Sequence, residues 1–217
     1  MIRAAVLVSG DGGKLQTILD SMYFGEIPNF ELTAVICTEP DAYALRRAGN
    51  SGVQAFVVEP SLFPTKLSYS MAISNKLKDM DIDLVVLAGF NMPLGVISTQ
   101  FRKRIIGVYP SLIPAFVNCD ESPARAALER GCRVTGATAY FADIDGNIGP
   151  IIAQQAVEIK PNDTPETLER RIMEEAEWKL LPRAIILYCQ NRLEIHGERV
   201  VIKPAIPQNR IRRCRIR

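Results

Sequence analysis

Two stretches of this sequence hold residue types able to do chemistry. In "SGDGGKLQTIL", Gly10, Gly12 and Gly13 stand between a short apolar run and a helix-periodic one, with Lys14 directly after them. Free backbone N–H groups and the positive end of a helix dipole meet at such a junction, and both favour an anion. Glycines let the main chain come close to a phosphate, and Lys14 adds a charge. The stretch is not a Walker loop, which needs a longer glycine spacing and Ser or Thr after the lysine. It is not the dinucleotide fingerprint either, which needs another glycine where Leu15 stands. A tight turn that binds nothing accounts for the same residues equally well.

The second stretch, "IGVYPSLIP", leads into a proline-punctuated loop as the approach to an active site does, but it places Tyr109 where a base is wanted. A phenol with an unperturbed pKa near ~10 donates a hydrogen bond at neutral pH and accepts a proton poorly. The one histidine, His196, falls in "RLEIHGERV" near the end of the chain and away from both stretches. Asp143 and Asp145 lie in "DIDGNIG", where Asp, Gly and Asn serve a turn through local hydrogen bonds and positive φ.

These residues need a scaffold, and the pattern supplies one. "AAVLVSG" reads as a strand, and Leu15, Ile18, Leu19 and Met22 recur at helical spacing behind it. The unit repeats through "FELTAVICT", "AYALRRAGNSG" and "QAFVVE". "SYSMAISNKLKDMD" then offers Met71, Ile73, Leu77 and Met80 to a core ahead of "IDLVVLAGF", apolar nearly throughout. A strand buried on both faces has that composition in a parallel sheet covered by helices on each side. Beyond residue 100, "VTGATAYF" and "GPIIAQQAVEI" read as strands that join the sheet antiparallel across a long connection. Thr164 caps a helix with Pro165 at its first position, and Leu168, Ile172, Ala176 and Leu180 mark its inner side. Pro182 is expected to kink or restart that helix, and a hairpin turning near Gly197 closes the pattern. The predicted fold class is α/β, a Rossmann-like, mostly parallel twisted sheet with helices on both faces and a C-terminal β-hairpin. The 217 residues are read as one domain: residues 1–100 as the phosphate-binding half, 101–203 as the half with the catalytic cleft, and 204–217 as a basic tail.

Composition narrows the function classes. A formal charge of +2 gives no general polyanion-binding surface, and the excess gathers in the tail "QNRIRRCRIR", read as a solvated end. No nucleic acid is expected as a partner, with that tail as the one feature pointing the other way. The five cysteines lack the paired short spacing of a zinc site or redox couple, so no metal is expected and the thiols fit a reducing cytoplasm. The opening apolar run is too short to span a bilayer and has no cleavage pattern behind it, so neither a membrane nor secretion is expected.

In their order along nearly the whole chain, "VLVSGDGGKLQTIL", "DLVVLAGFNMPL", "YPSLIP", "IGPIIAQQAVEI", "DTPETLERRI" and the final hairpin resemble the glycinamide ribonucleotide formyltransferases of purine synthesis. The resemblance implies transfer of a formyl group from 10-formyltetrahydrofolate to the amine of a ribonucleotide, with the glycine loop holding the substrate phosphate. Gly12, Gly13 and Lys14 then become phosphate-binding candidates, although the family usually has Ser-Asn where Gly13-Lys14 stands. The family's catalytic Asn-x-His pair falls on Gly107 and Tyr109, its aspartate on Asn147, and a histidine of the neighbouring strand on Tyr140. All four positions are substituted. Asn147 cannot ionise, and losing one oxyanion donor alone costs roughly two to three decades in rate.

By the same resemblance, Phe90, Asn91, Met92 and Leu94 of "GFNMPL" border the folate cleft, where Met92 replaces an arginine and Pro93 removes an N–H. Lys66 lies near a family arginine that binds substrate. Glu177 matches a glutamate near the substrate amine, and Trp178 replaces the histidine after it. The expectation is a member of this family without ordinary formyl transfer, retaining a site for a phosphorylated ribonucleotide-type molecule. Two alternatives stay open: an enzyme, either a formyltransferase working through Tyr109, Tyr140 and a displaced aspartate such as Asp143 or Asp145 or a catalyst of another reaction at the same cleft, and a metabolite-sensing module. A homodimer is compatible with all of these.

Overall fold

A computed structural model describes residues 1–143 and 148–205. Nine strands form one sheet: β1 (Ile2–Val8), β2 (Phe30–Cys37), β3 (Gln54–Val57), β4 (Leu84–Leu87), β5 (Ile105–Tyr109), β6 (Val134–Ala142), β7 (Ile148–Glu158), β8 (Leu193–His196) and β9 (Arg199–Ile202). Their spatial order is β3-β2-β1-β4-β5-β6-β7-β9-β8. The first five strands are parallel; β6 runs antiparallel to β5, and β7 antiparallel to β6. The β6–β7 connection, expected to be long, is only residues 143–147. The terminal hairpin forms as expected, with Gly197 at its turn in the left-handed region at φ 59°.

Apolar residues run unbroken along the central strands because both sheet faces are covered. In β1, Ala4, Val6 and Val8 enter one core, and Ala5 and Leu7 the other. The first core is roofed by α1 (Gly13–Tyr23), α2 (Tyr43–Asn50), α5 (Pro123–Glu129), α6 (Pro165–Ile172) and α7 (Trp178–Cys189). The second is covered by α3 (Lys66–Asp79) and the segment around α4 (Val96–Gln100). In α3 the inward face is Tyr69, Ile73 and Leu77. Met71, expected in the core, is exposed instead, because a step of two along a helix turns a side chain through more than half a turn.

Pro182 does not interrupt its helix; it lies inside α7. The irregularity is upstream, in a π-helical turn over Met173–Glu177, where the N–H of Trp178 reaches back to the carbonyl of Met173. That wide turn has a geometric effect. A spacing of four residues drifts around a regular α-helix, whose turn takes about 3.6 residues. A turn holding an extra residue reverses the drift. Leu168, Ile172, Ala176 and Leu180 therefore stay on one buried face.

Candidate functional site

The chain runs outward from β1 to β2 and β3, then crosses back to place β4 on the other side of β1. Where the order reverses, the loops beyond the carboxyl ends of β1 and β4 part and leave a crevice, the usual position of ligands in open α/β sheets. A cleft of about 430 Å3 occupies this point. Ser9, Asp11, Gly13 and Lys14 line it from the β1 side, Ala88 and Gly89 from the β4 side, and Glu177 from the π turn.

Sequence dictates the shape of the glycine loop. Gly12 is the N-cap of α1 at φ 74°, in the left-handed region, and a Cβ there would lie 2.8 Å from the Cβ of Ala44. A side chain would strain the backbone and push α2 away. The N–H of Gly13 donates to Oδ1 of Asp11 at 3.1 Å. Arg47 fixes the loop from outside, its Nε donating to the Asp11 carbonyl at 3.0 Å and a terminal nitrogen to Oε1 of Gln16 at 2.9 Å. Ser9 joins the two loops, donating from Oγ to Oδ1 of Asn91 at 2.8 Å while accepting from Oγ1 of Thr38 at 3.0 Å.

Lys14 turns inward rather than to solvent. Its Nζ lies 2.8 Å from Oε1 of Glu177, which is buried at 4% exposure. The contact is one of charge and not an aligned hydrogen bond, and the indole N–H of Trp178 is likewise buried without a hydrogen-bond partner. Two expected site residues, on opposite ends of the chain, thus meet in one cleft. Lys66 does not join them: it is exposed at the first position of α3 and lines neither this cleft nor the next.

A second cleft of about 470 Å3 opens beside the first, past Gly89. Phe90, Tyr109, Asn118 and Tyr140 are among its lining residues. Met92 packs partly buried on the second core and Leu94 is buried within it, while Asn91 faces the glycine loop through Ser9. Gly107 and Tyr140 are directly opposed in the β5–β6 pairing. A Cβ on Gly107 would come within 2.9 Å of both the Cζ and the hydroxyl of Tyr140. The tyrosine ring therefore fills the volume that any side chain at 107 would need.

The Tyr109 hydroxyl donates to the carbonyl of Phe116 at 2.9 Å, and burial raises its pKa, with Cys119 adding to the effect. Burial pushes the Tyr140 phenol up to about 12, the nearby Tyr109 contributing second. Both phenols are proton donors at neutral pH. Asn147 and Asp145 lie outside the described residues. Asp143 is described and lines a separate small cavity with Pro150 and Ile195. His196 is on β8, the last strand of the sheet, with two-thirds of its side chain exposed and its Nε2 3.6 Å from Glu194. Among the described residues no group of three or more His, Cys, Asp and Glu side chains is arranged to hold a metal ion. None of the helices formed by those residues is long and apolar enough to cross a membrane, and the four described cysteines are free.

A switch-point crevice with a glycine loop on one side and an antiparallel β5–β6–β7 extension on the other is the geometry of a formyltransferase, and residues 2–185 match the family described as formyl transferase. Over 196 residues the chain is 34% identical to the phosphoribosylglycinamide formyltransferase of Haemophilus influenzae, covering 90% of this chain and 91% of that protein. It is 33% identical to the Bacillus subtilis protein of the same name, covering 89% of this chain and 99% of that one. The crystal structure of glycinamide ribonucleotide transformylase 1 from Symbiobacterium toebii superposes with a TM-score of 0.88 at 40% identity, covering 94% of this chain and 95% of that one. The chain belongs to the phosphoribosylglycinamide formyltransferase family of purine biosynthesis.

Proposed function

We propose that this chain keeps the family's cleft for a phosphorylated ribonucleotide-type molecule and does not carry out ordinary formyl transfer. The observation that carries the reading is the filling of the Gly107 position by Tyr140. Formyl transfer to an amine needs a donor for the oxyanion of the tetrahedral adduct and a group that takes the proton from the attacking nitrogen. A side-chain amide at position 107 would serve the first need; glycine has none, and the space is taken. The second falls to Tyr109, whose phenol is committed to the Phe116 carbonyl and has a raised pKa. Among the described lining residues of the second cleft there is neither a carboxylate nor an imidazole. The sequence places an amide that cannot ionise, Asn147, at the remaining family position.

By the family resemblance, the second cleft, with Phe90 in its lining, is where a 10-formyltetrahydrofolate-like molecule would sit. When bound, such a molecule supplies the formyl carbon. The described residues lining that cleft give the attacking amine no carboxylate or imidazole to take its proton. The phosphate part of the reading rests on the glycine loop at the switch point, with Lys14 beside it.

The test combines purified protein with glycinamide ribonucleotide and 10-formyltetrahydrofolate while tetrahydrofolate release is followed. The expected result is no turnover above the uncatalysed reaction. Turnover near an ordinary enzymatic rate, on the order of 10 per second, overturns the reading, and loss of such activity in Tyr109→Phe would identify an enzyme that uses the phenol.

A further inference from the structure

The buried carboxylate of the first cleft already has its cation. Glu177 sits on the π turn at 4% exposure, and Nζ of Lys14 stands 2.8 Å from it. We propose that Lys14 is a specificity-determining residue: it occupies the cation position at Glu177, so the cleft selects phosphate esters that carry no ammonium group. The inference rests on the reading of this cleft as a phosphate-ester site.

A buried carboxylate is stable only beside a positive charge, and removing its partner leaves an uncompensated ion. In this cleft the partner comes from the glycine loop. A ligand ammonium reaching Glu177 must displace Lys14, which exchanges one cation for another without gain. An ammonium-free ester requires no such exchange, and its phosphate finds Lys14 already turned into the cleft. The other carboxylates along the cleft discriminate less. Asp11 is engaged by the Gly13 N–H, and Glu166 and Glu169 are exposed on α6, where water and salt screen them. Arg170 is exposed on the same rim and adds a positive charge there.

Two esters matched in size test this by calorimetric titration of the full chain: 2-hydroxyethyl phosphate, and O-phosphoethanolamine, in which an ammonium replaces the hydroxyl. The wild-type protein is expected to bind the hydroxyl ester more tightly than the amino ester. Lys14→Met leaves Glu177 without its cation, and the preference is expected to shift toward O-phosphoethanolamine by about tenfold, the size of a charge contact at the edge of a protein. In Lys14→Met/Glu177→Gln, which has no buried charge left to destabilise the fold, the ratio is expected to return to near the wild-type value. Equal wild-type affinities or a wild-type preference for the amino ester overturn the proposal, as does an unchanged ratio in Lys14→Met while the hydroxyl ester still binds; in each case the phosphate-site reading survives. Failure of all three proteins to bind either ester overturns both.

Discussion

At the scale of single residues, Gly107 and Tyr140 act as a unit. The cross-strand pair leaves no space for a Cβ at 107, so the two positions are constrained jointly. Gly107→Asn alone should destabilise the fold by about 1–3 kcal/mol, the usual cost of overpacking a filled core site. Adding Tyr140→His, a smaller ring at the same place, should recover part of that loss. The coupling between the two changes is expected to be at least about 0.5 kcal/mol, read from urea unfolding midpoints of the four proteins in the cycle. Additive effects would show that the tyrosine ring does not fill the site. The family resemblance marks both substitutions in the sequence, but not their contact. Which residue of β6 opposes Gly107 is settled by strand register, and a register is not written in either strand alone. The Lys14–Glu177 pair was hidden for a similar reason: its members are far apart along the chain, and the packing of the π turn against the α1 loop brings them together.

At the scale of elements, the start of α6 shows how a local signal fixes a rim of the cleft. Thr164 accepts from the N–H of Thr167 at 3.3 Å, and the Thr167 hydroxyl accepts from the N–H of Thr164 at 2.9 Å, a reciprocal cap legible in "DTPET". Asp163, one residue before, accepts from the Lys160 N–H at 2.7 Å and from a terminal nitrogen of Arg171 at 2.6 Å. Arg171 also donates to the carbonyl of Glu158 at the end of β7 at 3.0 Å, so the pair fastens α6 to the sheet. The Arg171 hydrogen bond is the main reason the Asp163 carboxyl falls to about 2. A carboxyl held below its unfolded pKa of ~3.9 stabilises the fold fully above that value and loses this contribution as pH falls toward about 2. Asp163→Asn should therefore lower the melting temperature at pH 7 and flatten its fall between about pH 4 and 2, as followed by circular dichroism. An unaltered acid limb would assign the acid sensitivity to other groups. The helix start was readable because capping is local. The π turn was not, since it answers the packing of four inner residues against the sheet, while Pro182, the visible disruptor, fits inside α7.

At the scale of the molecule, the two-faced sheet was legible in the sequence because unbroken apolar strands alternating with amphipathic helices permit few other arrangements. The crevice was not, because strand order alone decides where the loops part. That order places the glycine loop, the β4 loop and the π turn around one cleft, so a ligand held there bridges segments from both ends of the chain. Binding should then stabilise the whole fold instead of one loop. A ligand at about one hundred times its dissociation constant adds roughly 2.7 kcal/mol to the folded state. For a chain of this size each kcal/mol raises the melting temperature by about 2–4 °C, so ribose 5-phosphate near saturation should raise it by about 5–10 °C in a thermal-shift titration. Free ribose at the same concentration should have little effect, because it offers no anion to the α1 N-terminus and Lys14. Equal protection by the two sugars would show that the phosphate is not what the cleft holds. A rise with ribose 5-phosphate that disappears in Gly12→Ala, provided that variant is folded at the start of the scan and shows its own melting transition, would trace the effect to the left-handed glycine that brings the loop against α2.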